Sequence, residues 1–144
     1  MDDSSIEAKA LQGAPFFAGL SPVDIGGILK VGRPVSFEPG QAMVEQGEAG
    51  DGMYIVVSGT AEVDVGGRFH KLSTGDFFGE MALFTTGRRM ATVKAVEPVH
   101  ALKIPADGFQ SFLLEHPTVA LSMLGAIVDR LREVEQRIDA WMAS

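Results

Sequence analysis

Cysteine is absent from this sequence of 144 residues, and aromatic residues make up only 8% of it. Without cysteine, neither a disulfide framework nor a thiolate metal site can form, and a reducing compartment is permitted. No stretch approaches the ~20 apolar residues of a membrane span, and the first residues lack the basic and apolar blocks of a signal peptide. We therefore expect a soluble, cytoplasmic protein with no membrane span.

Basic residues are also scarce, because 12 Lys and Arg face 19 Asp and Glu, for a formal net charge of -7. This charge repels the phosphate backbone of DNA or RNA, so we expect no nucleic-acid partner. The three histidines, His70, His100 and His116, are scattered and form no ligand pair, which disfavours a metal site. No serine has a neighbouring base in sequence, and the chain is not expected to be an enzyme.

The length and composition favour one domain over residues 1–144. Hydrophobic residues make up 46% and charged residues 22%, a balance typical of a globular protein with one core. Residues 1–33 read as a helical segment, in which Ser21 caps a helix, Pro22 occupies its first turn and Asp24 complements its positive end. The adjacent Phe16 and Phe17 are expected to pin the helices to the barrel.

Residues 34–105 hold most of the 17 glycines, spaced between short runs rich in Val, Ile, Tyr and Phe. Glycine turns between short alternating runs are typical of a β-barrel. About eight strands are expected, the usual number for a jelly roll, so the fold class is mainly β with flanking α. The runs are 35–37, 42–45, 53–57, 61–65, 68–72, 91–96 and 99–104, with a further strand ending at Gly79.

Residues 106–144 change to a helical period, which predicts two C-terminal helices separated at His116 by Pro117. Along the second helix, apolar residues recur at alternating spacings of four and three. This amphipathic helix could cover the barrel, pair with its twin in a homodimer, or do both. The apolar positions are Ile127, Leu131, Val134, Ile138 and Trp141.

The segment that carries chemistry runs from Gly75 to Leu83 and continues at 88–93. A strand ends at glycine and a helical turn begins at Glu80, whose freed N–H groups form an anion site. Arg89 lies just before the next strand and can bring a guanidinium to the same place. Because a carboxylate repels phosphate, Glu80 is expected to accept hydrogen bonds from a hydroxyl nearby. The combination describes a sugar phosphate.

The run Phe78-Gly79-Glu80-Met81-Ala82-Leu83, followed by Arg89-Met90-Ala91-Thr92, resembles the phosphate-binding cassette of cyclic nucleotide-binding domains. This family includes kinase regulatory subunits, bacterial cyclic-nucleotide-gated channels and the catabolite activator protein. The resemblance covers nearly the whole chain and places the cassette at 78–92. Further similar landmarks are Phe16–Ser21, Pro39-Gly40-Gln41, Gly47-Glu48, Tyr54-Ile55-Val56 and Ser58-Gly59.

The resemblance implies that Arg89 grips the exocyclic phosphate and that Glu80 accepts from the ribose 2′-hydroxyl. Gly79 would let the backbone approach the ribose, and two backbone amides, those of Ala82 and Ala91, would lie near phosphate. The ligand-binding residues expected from it are Phe78, Gly79, Glu80, Met81, Ala82, Arg89, Met90, Ala91 and Thr92.

Two positions bear on affinity and selectivity. Arg88 stands where many members carry proline, so it either loosens the loop or adds a second positive charge. Members that favour cGMP often have threonine where this chain has Met90, which favours cAMP, although Thr92 nearby keeps cGMP open.

The sequence favours a stand-alone cyclic nucleotide sensor, with cAMP preferred, that signals through its C-terminal helices to a protein partner or by self-association. Two alternatives stay open at this point. One is a nucleotide-free protein interaction scaffold with the same fold, and the other is a truncated regulator whose chain continues beyond Ser144. Trp141 either caps the base of the ligand or packs in a helix interface.

Overall fold

The computed structural model describes residues 5–85 and 87–143, so residues 1–4, 86 and 144 of the predicted domain lie outside the described residues. The N-terminal segment holds two helices, α1 (Ile6–Gly13) and α2 (Pro22–Lys30), joined through a 3₁₀ turn at Pro15–Phe17. Ser21 Oγ accepts a hydrogen bond from the Asp24 N–H at 3.2 Å. The helix start predicted at Ser21 is therefore confirmed.

Eight strands follow, as the glycine-punctuated pattern predicts. They form two four-stranded antiparallel sheets, with strand order β1-β8-β3-β6 in one sheet and β2-β7-β4-β5 in the other, the layout of a jelly roll. The strands are β1 (Arg33–Phe37), β2 (Ala42–Val44), β3 (Gly52–Ser58), β4 (Ala61–Val65), β5 (Arg68–Leu72), β6 (Phe77–Phe78), β7 (Thr92–Ala95) and β8 (Val99–Pro105).

Strand β3 is the centre of the packing because both of its faces are buried. Met53 and Ile55 point into a cluster shared with α1, α2 and the C-terminal helices. Tyr54 and Val56 point into a second cluster between the two sheets. Successive side chains of a strand face opposite ways, so one uninterrupted apolar run serves both clusters.

The two phenylalanines predicted to pin the helices to the barrel do so through aromatic contacts. Phe17 is fully buried and meets Phe109 edge to face, with ring centroids 6.0 Å apart. Phe16 meets Phe84 edge to face at 5.4 Å, and Phe84 in turn meets Phe109 at 5.5 Å. Phe84 follows the cassette turn, so the N-terminal segment, the cassette and the C-terminal helices share one aromatic cluster.

The chain ends in α3 (Ala106–Glu115) and α4 (Pro117–Ala143), which meet at the predicted break with a bend of 111°. Only Val119 and Met123 of α4 are buried among its described residues, so the helix packs through its first turns and then leaves the domain. Within 5–85 and 87–143, no single helix has the length and apolar character of a membrane span. The bent α3–α4 pair passes that test only when the two are joined.

Candidate ligand-binding site

The predicted cassette begins where β6 ends. Gly79 has φ +80°, in the left-handed region that favours glycine, and it leads into a single 3₁₀ turn at Glu80–Leu83. The Ala82 N–H donates to the Gly79 carbonyl at 3.1 Å within this turn. At its far end, Gln110 Nε2 of α3 donates to the Leu83 carbonyl at 3.1 Å. The turn is thus tied directly to the first C-terminal helix.

A cleft of about 360 Å³ opens beside this turn, within the size range of small-molecule sites. Thr92 lies outside its lining, where its hydroxyl accepts from the Gln46 N–H at 3.0 Å. The other predicted site residues all line the cleft, and the lining is Val44, Val63, Phe78, Gly79, Glu80, Met81, Ala82, Thr85, Gly87, Arg88, Arg89, Met90, Ala91 and Val93.

Arg89 forms the charged floor of the cleft. Its backbone is fixed on both sides, since its N–H donates to the Glu48 carbonyl at 2.7 Å and its carbonyl accepts from the Gly47 N–H at 2.9 Å. Its side chain is only 8% exposed. Nη2 donates to the Gly52 carbonyl at 2.8 Å and lies 3.5 Å from Asp51 Oδ1. A buried guanidinium held in this way is pre-organised for an anion.

Lys103 and Arg89 share one carboxylate partner, Asp51. Nζ of this buried lysine donates to Asp51 Oδ2 at 2.8 Å. Both cations also lie over the Tyr54 ring, with Lys103 Nζ at 5.5 Å and Arg89 Cζ at 5.9 Å from its centroid. The hydrogen bond from Lys103 lowers the pKa of Asp51 below its usual range, aided by the charges of both cations and opposed by partial burial.

Arg88 fastens the cassette loop to the connection between β2 and β3. Its Nη1 donates to the Gly47 carbonyl at 2.7 Å, and its backbone forms an isolated bridge with Ala49. The side chain that stands in place of proline thus adds a hydrogen bond between the loop and this connection. The side chain also lines the cleft and leaves a second positive charge beside Arg89.

The chemistry of the cleft suits a ligand with one anionic group and an apolar part. Arg89 supplies the buried cation and Glu80 a carboxylate acceptor, while Val44, Val63 and Val93 supply apolar wall. Among the described residues, no group of three or more His, Asp or Glu side chains could hold a metal ion.

A larger groove of about 710 Å³ lies between α1, α2 and the end of α3, bounded by residues such as Ile25, Val31 and Phe112. It contains none of the predicted site residues and no arginine. We place the ligand site in the smaller cleft, because, of these two, that cleft combines a buried cation with an acceptor and apolar walls in the described part of the chain.

Asp51, Gly52 and Lys103 complete the surroundings of Arg89 and were not among the predicted site residues. One signal for Lys103 was present in the strand pattern. In β8, Val99, Ala101 and Lys103 alternate onto the same inward face, which places a lysine at a core position. A charged residue on an inward face needs a partner, and here that partner is Asp51.

The fold and this site match a known family. A family model described as "Cyclic nucleotide-binding domain" matches residues 34–116. The chain therefore belongs to the cyclic nucleotide-binding domain family, as its resemblance to the cassette predicts.

Curated relatives include regulators and ion channels. The CRP-like cAMP-activated global transcriptional regulator of Mycobacterium tuberculosis is 28% identical over 136 residues, which cover 90% of this chain and 61% of the regulator. The human potassium/sodium hyperpolarization-activated cyclic nucleotide-gated channel 2 is 30% identical over 130 residues, which cover 90% of this chain and 15% of the channel. The chain thus spans less than two thirds of these relatives.

Solved structures show the same fold. The N-terminal domain of a transcriptional regulator from Streptomyces coelicolor aligns with a TM-score of 0.77 and 27% identity, over 90% of this chain and 94% of that one. The catabolite activator protein of Thermus thermophilus aligns with a TM-score of 0.64 and 28% identity, over 90% of this chain and 63% of that one.

Proposed function

We propose that this chain is a non-catalytic sensor that binds a cyclic nucleotide, cAMP in preference to cGMP, in the cleft beside the cassette turn. The observation that carries the proposal is the guanidinium of Arg89, 8% exposed, on the floor of a cleft that the family's motif builds. A cytoplasmic location, which the cysteine-free composition permits, is part of the same proposal.

In this proposal, Arg89 pairs with the exocyclic phosphate and Glu80 accepts from the ribose 2′-hydroxyl. Gly79 has no side chain to hold the ribose away from the backbone. The amide of Ala91 faces the phosphate, and that of Ala82 joins it by sharing or releasing its bond to the Gly79 carbonyl. The phosphate also competes with Asp51 for Arg89, since the monoanionic phosphodiester of a cyclic nucleotide and a carboxylate accept from the same guanidinium N–H groups.

The preference for cAMP follows from the rim of the cleft. Met90 is 83% exposed there and Met81 is 65% exposed. A thioether is a weak hydrogen-bond acceptor and no donor, so neither methionine side chain forms strong hydrogen bonds with the extra polar groups of guanine. Both side chains can pack against a purine face. The name of the mycobacterial relative, a cAMP-activated regulator, supports the same preference.

The proposed output is the movement of α4 and its pairing with a second copy of the chain. The cassette turn contacts α3 through Gln110 and through Phe84 against Phe109, so a ligand that shifts the turn also shifts α3 and the helix after it. Beyond Met123, α4 exposes an apolar stripe that a partner helix can cover. Its exposed members are Leu124, Val128, Leu131, Val134, Ile138, Trp141 and Met142.

Two alternatives have support of their own. The apolar groove between α1, α2 and α3 supports a protein interaction scaffold that binds no nucleotide. The length of the mycobacterial relative, of which this chain covers 61%, supports a regulatory domain within a longer protein. In either case the cassette fold is the same, and ligand binding separates the first alternative from the sensor.

The deciding experiment is calorimetric titration of ligand-stripped protein with cAMP and, separately, with cGMP. The protein is first unfolded, dialysed and refolded, because a copurified nucleotide would mask the site. Saturable binding of cAMP, with weaker binding of cGMP, is the result expected of the sensor. Folded, empty protein that gives no heat with either nucleotide would overturn the sensor and favour the scaffold.

A further inference from the structure

Asp51 lies between two cations and bonds them unequally. Its Oδ2 accepts from Lys103 Nζ at 2.8 Å, whereas its Oδ1 lies 3.5 Å from Arg89 Nη2, at the outer limit of a hydrogen bond. The carboxylate of Asp51 therefore pairs mainly with Lys103. Nη2 of Arg89 makes its shorter bond, of 2.8 Å, to the neutral Gly52 carbonyl.

This inequality matters because Asp51 is the acidic group that the structure places against Arg89. A carboxylate and a phosphate compete for the same guanidinium, and a full pair with Asp51 would weaken the binding of any anion in the cleft. Lys103 adds a second positive charge, so the three groups together keep a net charge of +1 beside the ligand.

Lys103 occupies a buried position between the two sheets, beside Tyr54. It pairs with Tyr54 in the register of β3 and β8, on the buried face of the sheet. It is 8% exposed, and burial of a lysine costs free energy unless a carboxylate or another acceptor compensates for it. A methionine or leucine would fill an inward position of β8 without this cost. The ion pair with Asp51 supplies the compensation for this buried lysine.

We propose that Lys103 is a positioning residue, which holds the carboxylate of Asp51 and so keeps the guanidinium of Arg89 available to the phosphate of the ligand. The inference rests on the proposed function, since it assigns the phosphate to Arg89. It adds to that function a control of affinity from a residue that is not part of the cleft lining.

The test is a double-mutant cycle on the full chain, with Lys103→Met, Asp51→Asn and the double variant titrated with cAMP by calorimetry. Lys103→Met alone should weaken binding about twofold to fivefold, the range of an ion pair with one exposed partner. In the Asp51→Asn background the same change should alter affinity less than about twofold, because the competing carboxylate is gone. Lys94→Met, on the exposed side of β7, is the control for net charge.

An equal loss of affinity in both backgrounds would overturn the proposal, because Lys103 would then act by its charge alone. If Lys103→Met does not fold, the cAMP affinity of Asp51→Asn alone tests the proposal. Asp51→Asn should bind cAMP with an affinity at or above that of the wild type. A tenfold loss of affinity would show that Asp51 supports Arg89 instead of competing for it.

A second readout separates this proposal from the proposed function. The side-chain ¹⁵Nε resonance of Arg89, assigned with Arg89→Lys, reports its pairing without any nucleotide. It should shift in Lys103→Met and return towards the wild-type position in the double variant. If the wild type binds no cyclic nucleotide, the proposed function fails, while this shift still tests the competition for Arg89. An unchanged resonance in Lys103→Met would overturn the positioning role.

Discussion

The guanidinium of Arg89 lies directly against the backbone of Gly79. A Cβ built on residue 79 would overlap Arg89 Nη1 and would also approach the Gly52 carbonyl oxygen to 3.1 Å. The glycine of the cassette is therefore needed twice, for its positive φ and for the space that the arginine occupies. Two motif residues separated by ten positions are thus one structural unit.

Replacement of Gly79 by alanine should displace Arg89 and abolish measurable binding of cAMP. The left-handed backbone adds a stability cost of about 1 kcal/mol. Gly67→Ala is the matched control, since Gly67 has φ +85° with nothing within 4 Å of its Cβ position. Urea unfolding and calorimetry on both variants should show similar strain but loss of binding only at residue 79. Normal cAMP affinity in Gly79→Ala would contradict this account.

Arg89→Ala should weaken cAMP binding by roughly tens-fold to thousands-fold, since the loss of a buried charged partner of a ligand costs about 2–5 kcal/mol. Arg68→Ala removes the same charge from an exposed position of β5 and should leave affinity unchanged. Calorimetric titration measures both. A wild-type affinity in Arg89→Ala would show that the phosphate of the ligand does not bind at Arg89.

The stability of the protein should depend on pH through Asp51, whose pKa is held below its ordinary value of 3.8 by Lys103 and Arg89. A lowered pKa in the folded state gives stabilisation that is complete above the ordinary pKa and lost as the pH falls through the folded value. The gap in urea midpoint between wild type and Asp51→Asn should therefore shrink from about pH 6 to about pH 3. Because the Asp51 side chain is 67% exposed, the gap should also shrink in high salt.

A constant or widening gap at low pH would show that Asp51 stabilises the fold by something other than its charge. The comparison with Asp51→Asn cancels the titration of the other carboxyl groups, provided that they lie outside this cluster.

Self-association should depend on the apolar stripe of α4. Ile138→Asp places a charge within the stripe and should convert a dimer to monomer, as measured by sedimentation velocity. Gln136→Asp places the same charge on the opposite side of the helix, two residues away, and should leave the dimer intact. Equal behaviour of the two variants would show that α4 is not the interface.

Local patterns were sufficient for most of the fold. The alternation in 61–65 and the tight turn at Gly66-Gly67 predicted β4 and β5 to the residue, and Pro117 marked the break between the C-terminal helices. The strand boundaries were less accurate at 91–96, where β7 covers only Thr92–Ala95, because Ala91 belongs to the cassette loop. Helix α3 begins at Ala106, before the apolar residues that suggested it, and the Ala106 N–H donates to the Asp51 carbonyl, a contact that local pattern does not show.

The candidate site was predictable where its residues are contiguous. Gly79 and Glu80 are adjacent in a motif, and Arg89 follows at a fixed spacing. The sequence pattern alone therefore predicts that the three residues belong to one site. The roles expected for the cassette residues stay predictions until a ligand is titrated. Thr92 is the one expected contact that the structure places outside the cleft lining, because its hydroxyl bonds to the β2–β3 connection.

The sequence by itself determined most of the strands, the start of α2, the break before α4 and the cassette, since these follow from side-chain period, glycine and proline, which act over a few residues. Only the tertiary structure decided what surrounds Arg89. Asp51 and Lys103 are 52 residues apart, and the antiparallel register of β3 with β8 brings them together. Local pattern carries no information on such a register, because strand pairing is chosen by the packing of the whole sheet.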